Sequence, residues 1–309
     1  MISIVIPIYN AEKSIYKLTE KIYEIFKEIE IEIILVNDNS LDDSHNECVK
    51  IISKFNKTTT YLKLGKNMGE HNALMAGLNY AKGDWVIAMD DDFQNPPEEA
   101  LKLYNYSKNN KFDVVYGDYQ EKKKHHFFRN FISKINDKTA NFILKKPRDI
   151  YLSSFKCINK KIVKNIINYK GPYPYIDGLI LSLTSNLGSI KTEHTVRNFG
   201  KSGYTSLKLL KLYGNLFINF STIPIHFFSI VGIIIAILSG LYGLFIIAEK
   251  IINPDLPLGY SSIISVILFF SGIQLIFLGL IGEYVGKILK NVNSEKQYFI
   301  EFLKEKDSN

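Results

Sequence analysis

Two stretches near the C-terminal end carry no charged side chain, and they constrain the fold more than any other feature of the sequence. Asp, Glu, Lys and Arg are absent from Leu212–Ala248 and from Leu256–Gly282. Within them, Phe228–Ala248 and Ser261–Ile281 are each 21 residues long, and a helix of that length spans about 30 Å, the thickness of a bilayer core. The sequence therefore predicts two transmembrane helices, at about 225–248 and 261–282, in preference to a buried helical pair in a soluble core.

The connection between these helices and the lysines on either side predict their orientation. Glu249–Tyr260 is short and contains two prolines and a glycine, which is typical of a tight hairpin with both flanks on one side of the membrane. Lysines precede and follow the hairpin, so the positive-inside rule places both flanks in the cytoplasm. No signal peptide precedes the first strand pattern. We predict a multi-pass membrane protein with the N-terminal domain and both termini in the cytoplasm.

This pattern divides the chain into four predicted parts. Residues 1–204 form a cytoplasmic domain, 224–286 hold the two transmembrane helices, and 287–309 form a cytoplasmic tail. Between the first two, the apolar residues of Leu207–Phe220 lean to one side with lysines interspersed. That spacing favours an amphipathic helix at the membrane interface over residues 205–223, with a simple linker helix as the alternative.

Residues 1–117 alternate between strand and helix patterns. Short apolar runs rich in β-branched residues predict buried strands, and apolar residues at helical spacing predict the helices between them. Such alternation indicates an α/β fold with a parallel sheet. The predicted strands are Ile2–Ile8, Ile31–Val36, Tyr61–Leu64, Trp85–Met89 and Asp113–Gly117. The first predicted helix carries the apolar residues from Ile15 to Ile29, and the next two are Asp42–Phe55 and Glu70–Ala81, the latter with Gly83 as its stop. The last predicted helix begins at Pro96-Pro97.

Acidic residues follow two of these strands directly. Asp38 comes after the second strand and Asp90-Asp91-Asp92 after the fourth, at the edge where parallel α/β sheets bind ligands. Carboxylates this close repel one another unless a cation lies between them. Since alternate residues of an extended segment share a face, we expect Asp90 and Asp92 to bind Mg²⁺ or Mn²⁺ together, with Gln94 as a third oxygen ligand. An acid-rich surface loop is the alternative.

Charge and cysteine content narrow the class of partner. The formal net charge is +7, which suits anionic lipid or a phosphorylated substrate, although it also fits a general abundance of lysine. No nucleic-acid reader motif is present, so we expect no nucleic-acid partner. Cys48 and Cys157 are the only cysteines, and no CxxC pattern indicates a zinc site or a disulfide framework.

Several motifs resemble those of family 2 glycosyltransferases of the dolichol-phosphate mannose synthase and undecaprenyl-phosphate sugar transferase type. The run MDDDFQNPPEE (Met89–Glu99) is similar to that family's DxDLQ(D)PPE signature. Further matches occur in the same order along almost the whole chain. They are VIPIYNAE (Val5–Glu12), VNDNSLDD (Val36–Asp43), KNMGEHNAL (Lys66–Leu74), RNFGKSGY (Arg197–Tyr204) and GEYVGK (Gly282–Lys287).

The resemblance implies a GT-A fold and inverting transfer from a UDP- or GDP-sugar, with UDP the favoured nucleotide, to a polyisoprenyl phosphate such as undecaprenyl phosphate. It also implies a bacterial cytoplasmic (inner) membrane as the location, with the catalytic domain on the cytoplasmic side. It further implies a role in cell-envelope glycan synthesis or modification, for example of lipopolysaccharide or O-antigen. Membrane lipids and further copies of the chain, as a homo-oligomer, are the other implied partners. Residue by residue, Pro7, Tyr9, Asp38 and Asp91 are expected to bind the nucleotide-sugar, Asp90, Asp92 and Gln94 the metal, and Arg197, Lys201, Arg129 and Ser133 the acceptor phosphate.

The sequence departs from the family pattern at several positions. Asn37 replaces the first Asp of VDDGS, Ala11 replaces a Glu, and Gly203 stands where a phosphate-binding Lys is common. The segment Leu152–Lys156 only loosely echoes the family's GDFRL, with Lys156 in place of Arg. These departures leave two alternatives open. One is a membrane glycosyltransferase that acts on another lipid or polysaccharide acceptor, and the other is a non-catalytic membrane scaffold.

Asp177 has two interpretations. It lies in the unusual stretch Tyr173–Gly178 and could contact the sugar or act as a catalytic base. Its position also suits the N-cap of a helix, which is the interpretation that we favour from sequence.

Overall fold

The computed structural model describes residues 1–55, 58–119, 147, 150–193, 195, 223–252, 259–292 and 296–305. The chain divides into two compact units, one made of residues 1–203 with 294–309 and the other of 204–293. The strands are β1 (Ile2–Ile8), β2 (Ile31–Asn37), β3 (Thr59–Leu64), β4 (Trp85–Ala88), β5 (Val114–Asp118), β6 (Lys156–Asn159), β7 (Leu187–Lys191) and β8 (Ile300–Lys304). The helices are α1 (Ile15–Ile25), α2 (Ser44–Lys54), α3 (Glu70–Tyr80), α4 (Pro97–Asn110), α5 (Lys160–Ile166), α6 (Ile176–Leu183), α7 (Ile223–Ile252) and α8 (Tyr260–Val292).

The first unit is built on one eight-stranded sheet in the order β7-β5-β6-β4-β1-β2-β3-β8. Strands β4, β1, β2 and β3 run parallel to one another, as do β5 and β7. Strand β6 is antiparallel to both β4 and β5, and β8 is antiparallel to β3. The predicted parallel arrangement is thus confirmed for the first four strands, and the complete sheet is mixed.

Alternate residues of the central strands supply two cores, one on each face of the sheet. Ile2, Ile4, Ile6 and Ile8 face α1, α2 and α4, whereas Val5 with Ile34 and Val36 of β2 faces α3, α5 and α6. Both cores consist mainly of fully buried aliphatic side chains. Burial on both faces explains why these strands read as continuous apolar runs.

Gly83 has a different role from the predicted helix stop. Helix α3 ends at Tyr80, and its C-cap is Ala81 in an extended conformation. A Cβ atom at Gly83 would lie 2.6 Å from the backbone nitrogen of Ser3, and the Gly83 N–H donates to Ser3 Oγ at 2.8 Å. The glycine is required because the chain passes close to the start of β1 and not because it ends the helix.

The second unit contains the two long helices α7 and α8. Within the described residues, one segment is long and apolar enough to cross a membrane, Phe269–Gly286 of α8. The predicted span Phe228–Ala248 lies in α7 and stays a prediction as a membrane crossing. The predicted interfacial helix at 205–223 lies outside the described residues except for Ile223, the first residue of α7.

The C-terminal segment differs from the simple tail predicted from residue 287. Helix α8 continues to Val292, and residues 300–304 then form β8 on the edge of the sheet. The Gly65 N–H donates to the Phe299 carbonyl at 2.9 Å. The final strand of the first unit therefore follows both long helices in the chain.

Candidate active site

The carboxyl ends of three adjacent parallel strands bring the predicted nucleotide-binding residues together. Strand β1 lies between β4 and β2, so the turns after Ile8, Asn37 and Ala88 meet at one edge of the sheet. The Tyr9 N–H donates to Oδ2 of Asp91 at 3.0 Å, which ties the first turn to the third. Tyr9 is 45% exposed, so its ring is free to meet a ligand.

Asp38 holds the start of α3 with both carboxylate oxygens. It accepts hydrogen bonds from the backbone N–H groups of Met68 (2.7 Å) and Gly69 (2.8 Å), and it is only 3% exposed. Burial raises its pKa, and these two hydrogen bonds act in the opposite direction. Gly69 has φ +88°, a conformation that favours glycine. In the structure Asp38 therefore shapes the turn that begins α3.

Asp90 is the most perturbed carboxylate of the site. Its Oδ2 accepts a hydrogen bond from Ser154 Oγ at 2.7 Å and a longer one from Asn95 Nδ2 at 3.4 Å. Burial and the nearby Glu70 raise the pKa of Asp90 to about 7, with a smaller rise from Asp92. The Ser154 hydroxyl and the positive charge of Lys156 act in the opposite direction.

A tight turn, and not an extended segment, places Asp92 near Asp90. Strand β4 ends at Ala88, and Phe93 has φ +62°, so the alternation used to predict a shared face does not apply here. Asp92 is 6% exposed, and its Oδ1 accepts the Gln94 N–H at 3.0 Å. The two carboxylates are nevertheless close enough for Asp92 to raise the pKa of Asp90.

Thr195 fastens this turn to a distant part of the chain. Its N–H donates to the Gln94 carbonyl at 2.9 Å, and its hydroxyl donates to the Phe93 carbonyl at 2.6 Å. Two hydrogen bonds to consecutive carbonyls fix the backbone of residue 195 against the turn Asp90–Gln94, which is termed the acidic turn below.

A buried ion pair lies behind Asp90. Lys156 and Tyr116 are opposite each other on β6 and β5, and both side chains donate to Oδ1 of Asp177 on α6. Lys156 is 1% exposed and Asp177 7% exposed. Burial and then the charge of Asp177 raise the pKa of Tyr116 far above its usual range.

The predicted capping role of Asp177 is wrong. The N-cap of α6 is Tyr175, and Asp177 lies in the first helical turn. Its carboxylate points into the interior, where Lys156 neutralises it. A charged group taken out of water needs such a partner, which is the physical reason for its position.

His71 lies close to the buried pair of Lys156 and Asp177. Its ring meets the Tyr175 ring edge-on at a centroid distance of 5.1 Å, and its Nδ1 is buried without a hydrogen-bond partner among the described residues. Burial lowers the pKa of His71 to about 4; Asp177 opposes this shift, and Lys156 adds to it. The ring is therefore neutral at physiological pH.

Comparison with known protein families identifies the family of this chain. Residues 3–167, more than half of the chain, match glycosyl transferase family 2. The chain belongs to glycosyl transferase family 2. Residues 223–288 also match the GtrB C-terminal hairpin. The predicted resemblance is therefore confirmed, and the protein is a glycosyltransferase.

Similar proteins cover nearly the full length of this family 2 enzyme. The undecaprenyl-phosphate 4-deoxy-4-formamido-L-arabinose transferase of Serratia proteamaculans is 31% identical over 97% of this chain and 93% of its own. The transferase of the same name from Pectobacterium carotovorum is 32% identical over 97% of this chain and 92% of its own. Among solved structures, glucosyl-3-phosphoglycerate synthase of Mycobacterium tuberculosis in complex with Mn²⁺ and UDP-glucose aligns with a TM-score of 0.51 at 14% identity, over 71% of this chain and 77% of that one. The predicted GT-A fold is confirmed.

The four residues of this glycosyltransferase that are predicted to bind the acceptor phosphate lie outside the described residues. They are Arg129, Ser133, Arg197 and Lys201. Pro7 lies in β1 opposite Val36, two residues before Tyr9.

The acidic turn is compatible with a divalent cation bound together with substrate. Within the described ranges, no three His, Cys, Asp or Glu side chains form a metal cluster. Asp90 and Asp92 supply two carboxylates, and Mg²⁺ in particular is commonly held by one or two carboxylates together with substrate phosphates. The buried Oδ1 of Asn95 has no partner among the described residues and lies on the side chain that contacts Asp90. The residues present therefore fit a cation that is completed by a diphosphate.

The substitution of Asn37 within the family pattern has a structural explanation. Its Oδ1 accepts the Ser40 N–H at 2.8 Å, and its Nδ2 donates to the Tyr61 hydroxyl at 3.1 Å. The side chain is fully buried. An aspartate would lack the donor, so the amide suits the partner that Tyr61 provides.

Sequence reasoning missed Ser154, Lys156 and Tyr116 as parts of the site, and it did not consider His71. The segment Leu152–Lys156 carried a weak signal through its partial likeness to GDFRL, and Tyr116 belongs to a predicted strand. Their convergence depends on β6, which the sequence did not predict and which inserts between β4 and β5.

Proposed function

We propose that this enzyme transfers a sugar, with inversion, from a UDP-sugar to undecaprenyl phosphate at the cytoplasmic face of the bacterial membrane, for modification of a cell-envelope glycan. The proposal rests on the identity of 30% or higher, over 97% of the chain, to proteins named undecaprenyl-phosphate 4-deoxy-4-formamido-L-arabinose transferase. The catalytic region and the C-terminal hairpin are both matched.

The donor site is proposed at the acidic turn. Asp90 and Asp92, with the Gln94 amide, would hold Mg²⁺ or Mn²⁺. The cation would neutralise charge on the departing nucleoside diphosphate. Tyr9, with Pro7 before it, would meet the nucleoside, and Asp38 and Asp91 would hold the turns that shape this part of the site. The solved structure with Mn²⁺ and UDP-glucose has the same fold.

The acceptor site is proposed at the basic residues that follow Thr195. A phosphate monoester has a second pKa near 6 and is mostly a dianion at neutral pH, so it needs orientation more than proton removal. Arg197 is two positions after Thr195, whose backbone is fixed to the acidic turn. Arg197 and Lys201 are therefore proposed to bind the acceptor phosphate. Arg129 and Ser133 are proposed with them on the family resemblance alone.

Asp177 is assigned a structural part in this scheme. Its carboxylate accepts hydrogen bonds from Lys156 and Tyr116 and is 7% exposed. A carboxylate held by a lysine in the interior is a poor candidate for a base that must reach the acceptor. Positioning of a dianionic phosphate requires no such base.

The chain path supports a two-span hairpin with the catalytic domain and both termini on the cytoplasmic side. Strand β8 follows α7 and α8 in sequence and pairs with β3, which precedes them. Segments of one sheet lie on the same side of a membrane, so the chain between them must cross an even number of times. Together with the lysine-rich flanks, this supports the cytoplasmic orientation.

The decisive experiment uses the full-length protein in detergent or nanodiscs with labelled UDP-sugars and undecaprenyl phosphate. UDP-linked 4-deoxy-4-formamido-L-arabinose is the first donor of the panel, since the similar transferases are named for that sugar. Product formation that requires Mg²⁺ or Mn²⁺ and stops in excess chelator is expected. Lack of transfer from every donor to undecaprenyl phosphate, with transfer to another lipid, would overturn the acceptor assignment.

A matched pair of variants tests the metal site. Asp92→Asn removes one carboxylate from the acidic turn and should abolish transfer while leaving the thermal midpoint nearly unchanged. Asp84→Asn changes a 70% exposed aspartate just before the same strand and should retain activity. Wild-type activity of Asp92→Asn would contradict the metal-assisted donor site.

A further inference from the structure

The segment after the second long helix contacts a loop beside the active site. Gln297 lies five positions after Val292, the end of α8. Its Nε2 donates to the Tyr169 carbonyl at 2.7 Å and to the Gly171 carbonyl at 2.8 Å. Both partners are acceptors, so only the NH₂ end of the amide can serve them. These distances are typical of well-formed hydrogen bonds.

The contacted loop, Tyr169–Tyr175, is here termed the tyrosine loop. It connects α5 and α6 without regular secondary structure, so it has no strand or helix ladder to hold it. Pro172 and Pro174 are buried, whereas Tyr173 between them is 45% exposed. The prolines fix φ and remove two backbone donors, so side-chain donors contribute to holding the loop. The Tyr169 hydroxyl donates to the Tyr173 carbonyl at 3.4 Å from within the loop, and Gln297 donates to it from outside.

The far end of the tyrosine loop reaches the cluster behind Asp90. Tyr175 packs edge-on against His71, which is next to Glu70 on α3. Two residues after Tyr175, Asp177 pairs with Lys156. Glu70 and Lys156 are both charges that act on Asp90. The loop thus lies between Gln297 and the charges that surround the acidic turn.

We propose that Gln297 is a positioning residue of the active site, which holds the tyrosine loop so that Tyr175 stays against His71 and Asp177 against Lys156. The role of the acidic turn in donor binding rests on the proposed function, whereas the contacts of Gln297 do not. The C-terminal segment then has two roles in the catalytic domain. Gln297 positions the tyrosine loop, and β8 pairs with β3 at the edge of the sheet.

Two substitutions of Gln297 and one control on the same segment separate this role from simple stabilisation. Gln297→Glu keeps the shape of the side chain but has no donor, and its carboxylate faces two carbonyl oxygens. Gln297→Lys restores donors through an ammonium group. Glu301→Gln is the control, because it removes only the half-exposed ion pair between β8 and Lys63 at 2.8 Å.

The first readout is hydrogen exchange of the full-length protein, which needs neither donor nor acceptor. Gln297→Glu should increase exchange in residues 169–177 and at the start of α3, with the rest of the sheet unchanged. Glu301→Gln should match the wild type in both regions. Unchanged exchange of the loop in Gln297→Glu, or an equal increase throughout the sheet, would overturn the proposal.

The second readout is calorimetric binding of UDP in the presence of Mn²⁺. Loss of a group bonded directly to a metal ligand typically weakens binding by about 10-fold or more. Gln297 acts on the acidic turn only through the tyrosine loop, so Gln297→Glu should weaken UDP binding by a measurable factor below about 10-fold, and Gln297→Lys should recover most of it. Wild-type binding by Gln297→Glu would overturn the proposal. Neither probe involves undecaprenyl phosphate. A wrong acceptor would therefore leave both readouts intact, and wild-type protein that fails to bind UDP and Mn²⁺ would identify a failure of the donor site instead.

Discussion

Ser154 donates a hydrogen bond of 2.7 Å from its hydroxyl to Oδ2 of Asp90. Ser154 lies in the segment just before β6, and Asp90 lies in the turn that follows β4. Strand β6 is antiparallel to β4. The antiparallel pairing places Lys156 opposite Ala88 and so brings Ser154 alongside the residues that follow β4. The acidic turn is thus supported by a residue far away in sequence.

Removal of the Ser154 hydroxyl should lower the rate of sugar transfer without unfolding the protein. Ser154 bonds the proposed metal ligand Asp90 directly, and loss of such a supporting partner typically costs about 10-fold or more in activity, so Ser154→Ala should reduce transfer by that factor. The control is Ser182→Ala, which removes an exposed hydroxyl bonded only to the nearby Leu179 carbonyl. Initial rates at saturating donor and cation check the prediction, and equal rates for the two variants would contradict it.

Separation of the buried ion pair should be strongly destabilising. Lys156→Met leaves the Asp177 carboxylate buried without its cation, and loss of one partner of a buried pair costs about 3–5 kcal/mol. The double variant Lys156→Met/Asp177→Leu should recover most of that loss, because no uncompensated charge remains. Thermal unfolding of the single and double variants gives the coupling. Additive losses would contradict the assignment of the two residues as a buried pair.

Restoration of the family's aspartate at position 37 should destabilise this particular protein. Asn37→Asp removes the donor to Tyr61 and introduces a carboxylate beside Asp38 in a fully buried position. We expect a loss of about 1–3 kcal/mol at pH 7. The loss should shrink as the pH falls, because the introduced carboxyl then binds a proton in the folded state. Asn110→Asp, at an exposed amide, is the control; equal thermal midpoints of the two variants at pH 7 would refute the prediction.

His71 should make the catalytic domain sensitive to acid. Burial lowers its folded pKa to about 4 from an unfolded value of 6.5. The unfolded state therefore binds a proton first, and stability is lost as the pH falls from 6.5 towards 4. The charged groups that act on the ring are Asp177 and Lys156. His71→Leu should flatten this part of a plot of thermal midpoint against pH, and a slope equal to that of the wild type would exclude His71 as its source.

The predicted positions of the first strands and helices agree closely with the structure because their signals are local. The run Ile2–Ile8 is a strand with the predicted bounds, and α3 starts at the predicted Glu70. Strand β6 was missed, since its four residues are too short for a clear periodicity and include a buried lysine. The left-handed turn at Phe93 was missed because a non-glycine residue there gives no sequence signal.

By itself, the sequence determined the α/β layout of the N-terminal region, the uncharged runs that form the two long helices, and the acidic turn of a family 2 glycosyltransferase. These features depend on neighbours within a few residues, so they can be read in order along the chain. Only the tertiary structure decided that Asp177 serves Lys156, that Ser154 supports Asp90 and that Gln297 holds the tyrosine loop. Each of these partners comes from a distant segment, and the contact exists only because the strand order β5-β6-β4 and the return of β8 to β3 bring the segments together.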